Sequence, residues 1–187
     1  MQPANGASSM NATVKPKYVE VDGTTLTGRF PVSFELTGYS SGKRRNDVKV
    51  GMTEPERLQM WDLASDEGKF HGGDETAPKP LALFTAGVVT CFMTQMRTFA
   101  RQCGVQVHGL STKARFEWFA QRDGQEPYVA HPNKFFLDIE FDTVSSLDAQ
   151  KRLVRAAARG CFAEQILSVE IVHRLKHENE WIVCELK

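Results

Sequence analysis

Apolar residues crowd one stretch of this sequence. From Leu81 to Met93 nearly every position is Leu, Ala, Phe, Gly, Val, Cys or Met, interrupted only by threonine. A run without a polar face predicts a helix buried on most sides rather than an amphipathic one. Its limits are marked. Pro80 suits a first turn, where the missing N–H costs little. Asp74 and Glu75 lie shortly before, near the positive end of the helix dipole. Gly104 takes the left-handed cap cheaply, so the helix should stop there. A membrane span needs about 20 apolar residues, and this run turns sooner into Gln95, Arg97 and Arg101.

Elsewhere the pattern alternates with the period of half-buried strands. Lys17–Val21 and Arg29–Leu36 read as strands about the turn Asp22–Gly23, with Val32, Phe34 and Leu36 opposite Ser33 and Glu35. A glycine- and serine-rich turn with Lys43, Arg44 and Arg45 follows, then a short strand Val48–Val50. Thr53-Glu54-Pro55-Glu56 opens one helical turn or belongs to a loop, and Gln59–Leu63 reads as another strand. Beyond Gly104, Val105–Leu110 and Thr112–Ala120 predict a hairpin, and Arg122-Asp123-Gly124 a turn. The plainest strand is 135–141, where Phe135, Leu137, Ile139 and Phe141 alternate with Phe136, Asp138 and Glu140. Ser145-x-x-Asp148 has the form of a capping box before a helix to Arg159. Gly160 ends it, so Cys161 opens the next turn. Val169–Leu175 and Trp181–Leu186 close the chain as a hairpin. This order predicts an α+β fold of antiparallel sheet packed on helices, with a tail at 1–16 and a single domain over 17–187.

Composition narrows the function. The 187 residues carry 23 basic and 23 acidic side chains and no basic stripe. Binding to nucleic acid or to an acidic membrane surface is therefore not expected. The first residues have no apolar core behind a charged start, so no secretory signal is expected. Four cysteines, Cys91, Cys103, Cys161 and Cys184, are too few and too spread for a disulfide scaffold. Their spacing makes neither C-x-x-C nor a zinc site, and no metal or organic cofactor is implied. A reducing cytoplasm fits best.

Few residues suggest chemistry on their own. Cys91 in a buried helix reads either as a small hydrophobe or as a reactive thiol. At a helix start, Cys161 would meet unpaired backbone N–H groups that favour a thiolate. His71-Gly72-Gly73 has the look of an esterase oxyanion loop, but no G-x-S-x-G elbow accompanies it. Nor is there a G-x-G-x-x-G dinucleotide fingerprint.

The segment G-G-D-x-x-A-P-x-P-L-x-L-F-x-A-G-x-x-T-C-F (72–92) resembles the hallmark of the OsmC/organic hydroperoxide resistance family, and A-A-R-G-C-F-A-E-Q-I-L around Cys161 resembles a second family feature. The resemblance is strong over 66–104 and moderate over 135–172. It implies an OsmC-like fold in which two chains interlock with long central helices side by side. It also implies reduction of organic hydroperoxides, with Cys91 attacking, Cys161 resolving as a disulfide, and an external dithiol reopening the bond. An arginine from the N-terminal hairpin would support the thiolate. Arg29, Arg44 and Arg45 are candidates, and Arg45 sits best between strands. Leu83, Phe84, Val88, Phe92 and Met96 would build an apolar pocket with aromatic residues of the partner. The sequence departs from the pattern at Leu81, where the family's arginine-orienting glutamate stands, and at Phe162, where a proline usually follows the second cysteine. Those departures leave two further readings: a dimeric module that binds an apolar small molecule without turnover, and a thiol redox sensor.

Overall fold

A computed structural model describes residues 31–55 and 59–186. The readings for Lys17–Val21, Asp22–Gly23, Arg29 and Glu56 fall outside those residues. Strand β1 (Ser33–Ser41) turns through Gly42 into β2 (Arg45–Glu54), and β3 (Trp61–Ser65) pairs with β2. All three run antiparallel. The register puts Phe34 opposite Met52, Leu36 opposite Val50, and Val50 and Val48 opposite Trp61 and Leu63. Paired residues and residues two apart share a face, so one side of this sheet is apolar from edge to edge. Among the described residues nothing covers it: Phe34, Leu36 and Trp61 are each more than half exposed. The strand predicted over Val48–Val50 is thus longer, and Gln59–Leu63 pairs two residues later than expected.

Helix α1 (Pro80–Ala100) starts on Pro80, as its sequence predicts. At its far end the Val105 N–H donates to the Ala100 carbonyl and the Gly104 N–H to Arg101, with Gly104 at φ +67°. That is a Schellman motif with Gly104 at the left-handed position. Only one stripe of α1 is buried: Val88, Phe92, Met96 and Ala100. Thr90, Thr94 and Thr98 line an exposed face and return their hydroxyls to carbonyls one turn earlier. Burial on most sides, expected from the apolar run, is therefore not reached among the described residues.

Two long strands follow, β4 (His108–Gln121) and β5 (Val129–Asp142). The hairpin expected within 105–120 is instead one strand. Gly109, at φ +56°, marks a register shift between His108 and Ser111, a bulge rather than a reversal. Helix α2 (Leu147–Gly160) is capped by the Ser146 side chain, which accepts from the Ala149 N–H, so the cap lies one residue after the predicted Ser145. A single turn, α3 (Phe162–Gln165), leads to β6 (Ile171–His177) and β7 (Glu180–Val183). The second sheet has the order β4-β5-β6-β7, and β5–β6 is parallel. This corrects the all-antiparallel expectation: α2 and α3 carry the chain back across the sheet, and such a crossover returns it in the same direction.

Phe135, Leu137, Ile139 and Phe141 of β5 face α1 and α2 in the core, with Leu153, Val154, Ala157, Ala158, Ile171 and Leu175. The odd residue of that alternation, Phe136, lies on the outer face under the guanidinium groups of Arg115 and Arg174. The architecture is α+β, as predicted.

Candidate active site

Cys91 and Cys161, distant in sequence, meet in the core between α1 and the α2–α3 junction. Cys91 lies midway along α1, one residue before Phe92, and is half-buried. Cys161 is fully buried and serves two elements, as C-cap of α2 and N-cap of α3. A cysteine suits the joint because it fills an apolar site with a small side chain. The approach of α2 to α1 is set by Gly160: a Cβ there would lie 2.4 Å from the Phe99 ring. Neither thiol is in a disulfide, and Cys91 is near enough to bear on the Cys161 thiol.

Burial pushes the Cys161 thiol up to about 12. The neighbouring Cys91 thiol and the Glu164 carboxylate act in the same direction. The Glu164 N–H faces the sulfur, too loosely for a cap hydrogen bond but near enough to favour the thiolate somewhat. The expectation that a helix start would favour the Cys161 thiolate is thus corrected. A single turn brings one N–H to bear, and desolvation outweighs it.

Arg45 is spent elsewhere in the chain. Its Nη2 pairs with Asp47 at 2.7 Å and its Nη1 donates to Thr76 Oγ1 at 3.0 Å. Thr76 Oγ1 in turn donates to Asp66 at 2.8 Å, and this buried carboxylate also accepts the backbone N–H groups of Thr76 and Glu67. Those bonds, the Thr76 N–H first, hold the Asp66 carboxyl below its ordinary value. Arg45 therefore braces the loop that delivers Pro80 to α1. Arg44 donates to the His71 carbonyl, and His71 is exposed beside Glu67. Leu81 is exposed on the first turn of α1.

The predicted pocket is also corrected. Val88, Phe92 and Met96 are core residues rather than lining, since they point to β5 and α2. The open groove, about 600 Å³, runs along the outer side of α1 and includes Leu81, Thr85, Val89 and Thr90, with Thr112 and Ala114 of β4.

Two polar residues near the cysteines escaped the sequence reading. Glu164 sits three residues after Cys161, at the N3 position of α3. His173 belongs to the inward register of β6, between Ile171 and Leu175. Its Nε2 lies 3.2 Å from the Glu164 carboxylate and its ring 5.1 Å from that of Phe92. The signal was present: period two places a histidine on the apolar face of the strand. Among the described residues no group of three or more His, Cys, Asp or Glu is arranged to hold a metal.

The OsmC-like protein family matches residues 72–176, a span that includes both cysteines, Glu164 and His173. The chain belongs to the OsmC/Ohr family. It is 38% identical to an OsmC-like hydroperoxide resistance protein from Jannaschia sp. CCS1, over 81% of this chain and 97% of that one, with TM-score 0.48. An OsmC-like protein from Mycoplasma pneumoniae shares the fold at TM-score 0.56 and 14% identity, over 78% and 98% of the two chains. An organic hydroperoxide resistance protein from Elizabethkingia anophelis does so at TM-score 0.52 and 18% identity, over 80% and 96%. No curated protein matches the sequence. Among the described residues no helix is long and apolar enough to cross a membrane.

Proposed function

We propose that this OsmC-family chain protects against oxidative stress by reducing organic hydroperoxides with Cys91 and Cys161. The carrying observation is the meeting of those two thiols, one half-buried and one sealed. Cys91 attacks the peroxide: an S–O bond forms, the O–O bond breaks, and the alcohol leaves with a proton. The resulting Cys91 sulfenic acid is then attacked by Cys161, giving a disulfide and water. An external dithiol reduces the disulfide and resets the enzyme, a cycle suited to a reducing cytoplasm. The groove beside α1 would take the hydrocarbon part of the substrate, at about 0.8 kcal/mol per buried CH₂.

A homodimer completes the reading. The bare apolar face of β1–β3 and the exposed side of α1 are surfaces that a second chain would cover. Arg45 stays the candidate for thiolate support in that assembly, acting on the partner's reacting centre while braced by Asp47 and Thr76. The second reading, a dimeric binding module without turnover, draws on Leu81 in place of the orienting glutamate. Purified protein with an alkyl hydroperoxide and a dithiol separates the two. Turnover that Cys91→Ser abolishes is expected. Cys161→Ser should stop after one attack, with Cys91 left as a sulfenic acid open to a trapping reagent. Full turnover in both variants, or none in the wild type, refutes the peroxidase.

A further inference from the structure

The peroxidase reading leaves unused the most deeply buried polar pair near the cysteines. The His173 side chain is 0% exposed and that of Glu164 7%. Removing such groups from water is costly, and apolar residues in the same space are often at least as stable. A pair of this kind beside two thiols calls for a chemical role.

Its placement supplies one. Cys161 and Glu164 occupy N-cap and N3 of α3, the two positions that exchange side-chain-to-backbone hydrogen bonds in a capping box. Here the box is not closed. The Cys161 N–H goes back to the Ala158 carbonyl, and the Glu164 carboxylate turns inward to His173 Nε2. His173 Nδ1 has no hydrogen-bond partner among the described residues. Glu164 also lines a cleft of about 230 Å³ with Arg159, Gln165 and Ser168.

We propose that Glu164, held in place by His173, accepts the Cys161 proton in the resolving step. This rests on the two-cysteine reading above. As the Cys161 sulfur bonds to the Cys91 sulfur, the S–O bond of the sulfenic acid breaks. The Cys161 proton passes to Glu164 and on to the departing hydroxide, which leaves as water. The carboxylate is regenerated, and no oxidant beyond the hydroperoxide enters. A resting Cys161 that is protonated needs such an acceptor at the moment of attack, and Cys161 is held as the thiol by its burial. His173 is a positioning residue, which keeps the carboxylate turned inward and away from the surface.

The resolving step can be read without a peroxide. In a Cys103→Ser, Cys184→Ala background, an aromatic disulfide such as 5,5′-dithiobis(2-nitrobenzoate) reacts with Cys91 and releases one coloured thiolate. Attack by Cys161 on the mixed disulfide then releases a second. Glu164→Gln, which keeps the shape and loses the base, should leave the first phase unchanged and slow the second at least tenfold. Its rate should also rise about tenfold per pH unit as hydroxide replaces the lost base, whereas the wild type rises less steeply. His173→Gln should slow the second phase by a smaller factor. A second phase in Glu164→Gln with the wild-type rate and pH profile overturns the proposal. So does equal slowing of both phases, which would mark a structural defect. If the wild type consumes no hydroperoxide but Glu164→Gln still slows the second phase alone, the peroxidase reading fails and the assignment of Glu164 stands.

Discussion

Replacing Gly160 by alanine tests whether the cysteine pair depends on close helix packing, because two opposed effects predict opposite signs. Gly160 is the last residue of α2, and an ordinary glycine-to-alanine change in a helix is stabilising by about 0.5–1 kcal/mol. Here the added carbon would stand 2.4 Å from Phe99 Cε2 and 2.7 Å from Cζ. Carbon atoms in favourable contact are about 3.5–4.0 Å apart, so the ring or the helix must give by roughly 1 Å. Phe99 cannot swing aside freely, since it is packed against the core from α1. Overpacking of this degree costs about 1–3 kcal/mol. The cost outweighs the propensity gain, and Gly160→Ala should lose about 0.5–2 kcal/mol by that balance. The displacement falls on the residue next to Cys161, so the variant should also form the Cys91–Cys161 disulfide more slowly after a single dose of oxidant. Urea unfolding of the reduced protein gives the first quantity and quenched peptide mapping the second. A variant more stable than wild type, with unchanged disulfide formation, would refute the claim that Gly160 sets the approach of α2 to α1.

Trp61→Glu places a charge on the apolar face of β1–β3 without touching the four-stranded sheet. Burying a large apolar side chain contributes about 1.5–3 kcal/mol, so the dimer constant should weaken at least tenfold by sedimentation, and a wild-type monomer at micromolar concentration would refute the assembly. Cys161 makes stability depend on alkaline pH. Its folded value, about 12, lies above the ordinary 9.0. The folded protein therefore binds the proton more tightly, and the contribution is complete below 9.0 and declines as pH rises towards 12. The slope is about 1.4 kcal/mol per pH unit. Cys161→Ser should flatten that decline in urea titrations between those limits, and an unchanged slope would show that the thiol is not held as predicted.

The sequence disclosed the elements whose signals are local. Period two over 135–141 marks β5, and its one irregularity, Phe136, makes sense once Arg115 and Arg174 are seen against the ring. Pro80 and Gly104 bracket α1 because each acts on its own backbone. What failed was what depends on partners. Val105–Leu110 and Thr112–Ala120 looked like two strands of a hairpin, but β5 runs the whole length of β4 and keeps the chain extended through a bulge. The parallel β5–β6 pair was hidden because strand pattern carries no sign of direction. The apolar run of α1 was read as buried on most sides, yet the described residues cover only the Val88–Ala100 stripe. Cys91 and Cys161 were joined as a pair by family resemblance alone, since no periodicity links residues so far apart. His173, by contrast, was visible in the inward register of β6 and went unread for want of a partner.

On the peroxidase reading, a difference between the two cysteines sets the order of chemistry. A thiol sealed from water beside a carboxylate cannot be the one that meets substrate, because its anion is disfavoured on both counts. Cys161 is such a thiol, and its inertness has a use. If it ionised readily at rest it would compete with Cys91 for the hydroperoxide. Cys91 carries no such seal, and the middle of α1 lies one residue from the groove at Thr90. The proton that keeps Cys161 inert must then leave when the sulfenic acid forms next to it. That requirement ties the peroxidase reading to Glu164. A site with only the two sulfurs would resolve slowly, whereas one with a buried base beside the second sulfur resolves promptly and only after the first has reacted.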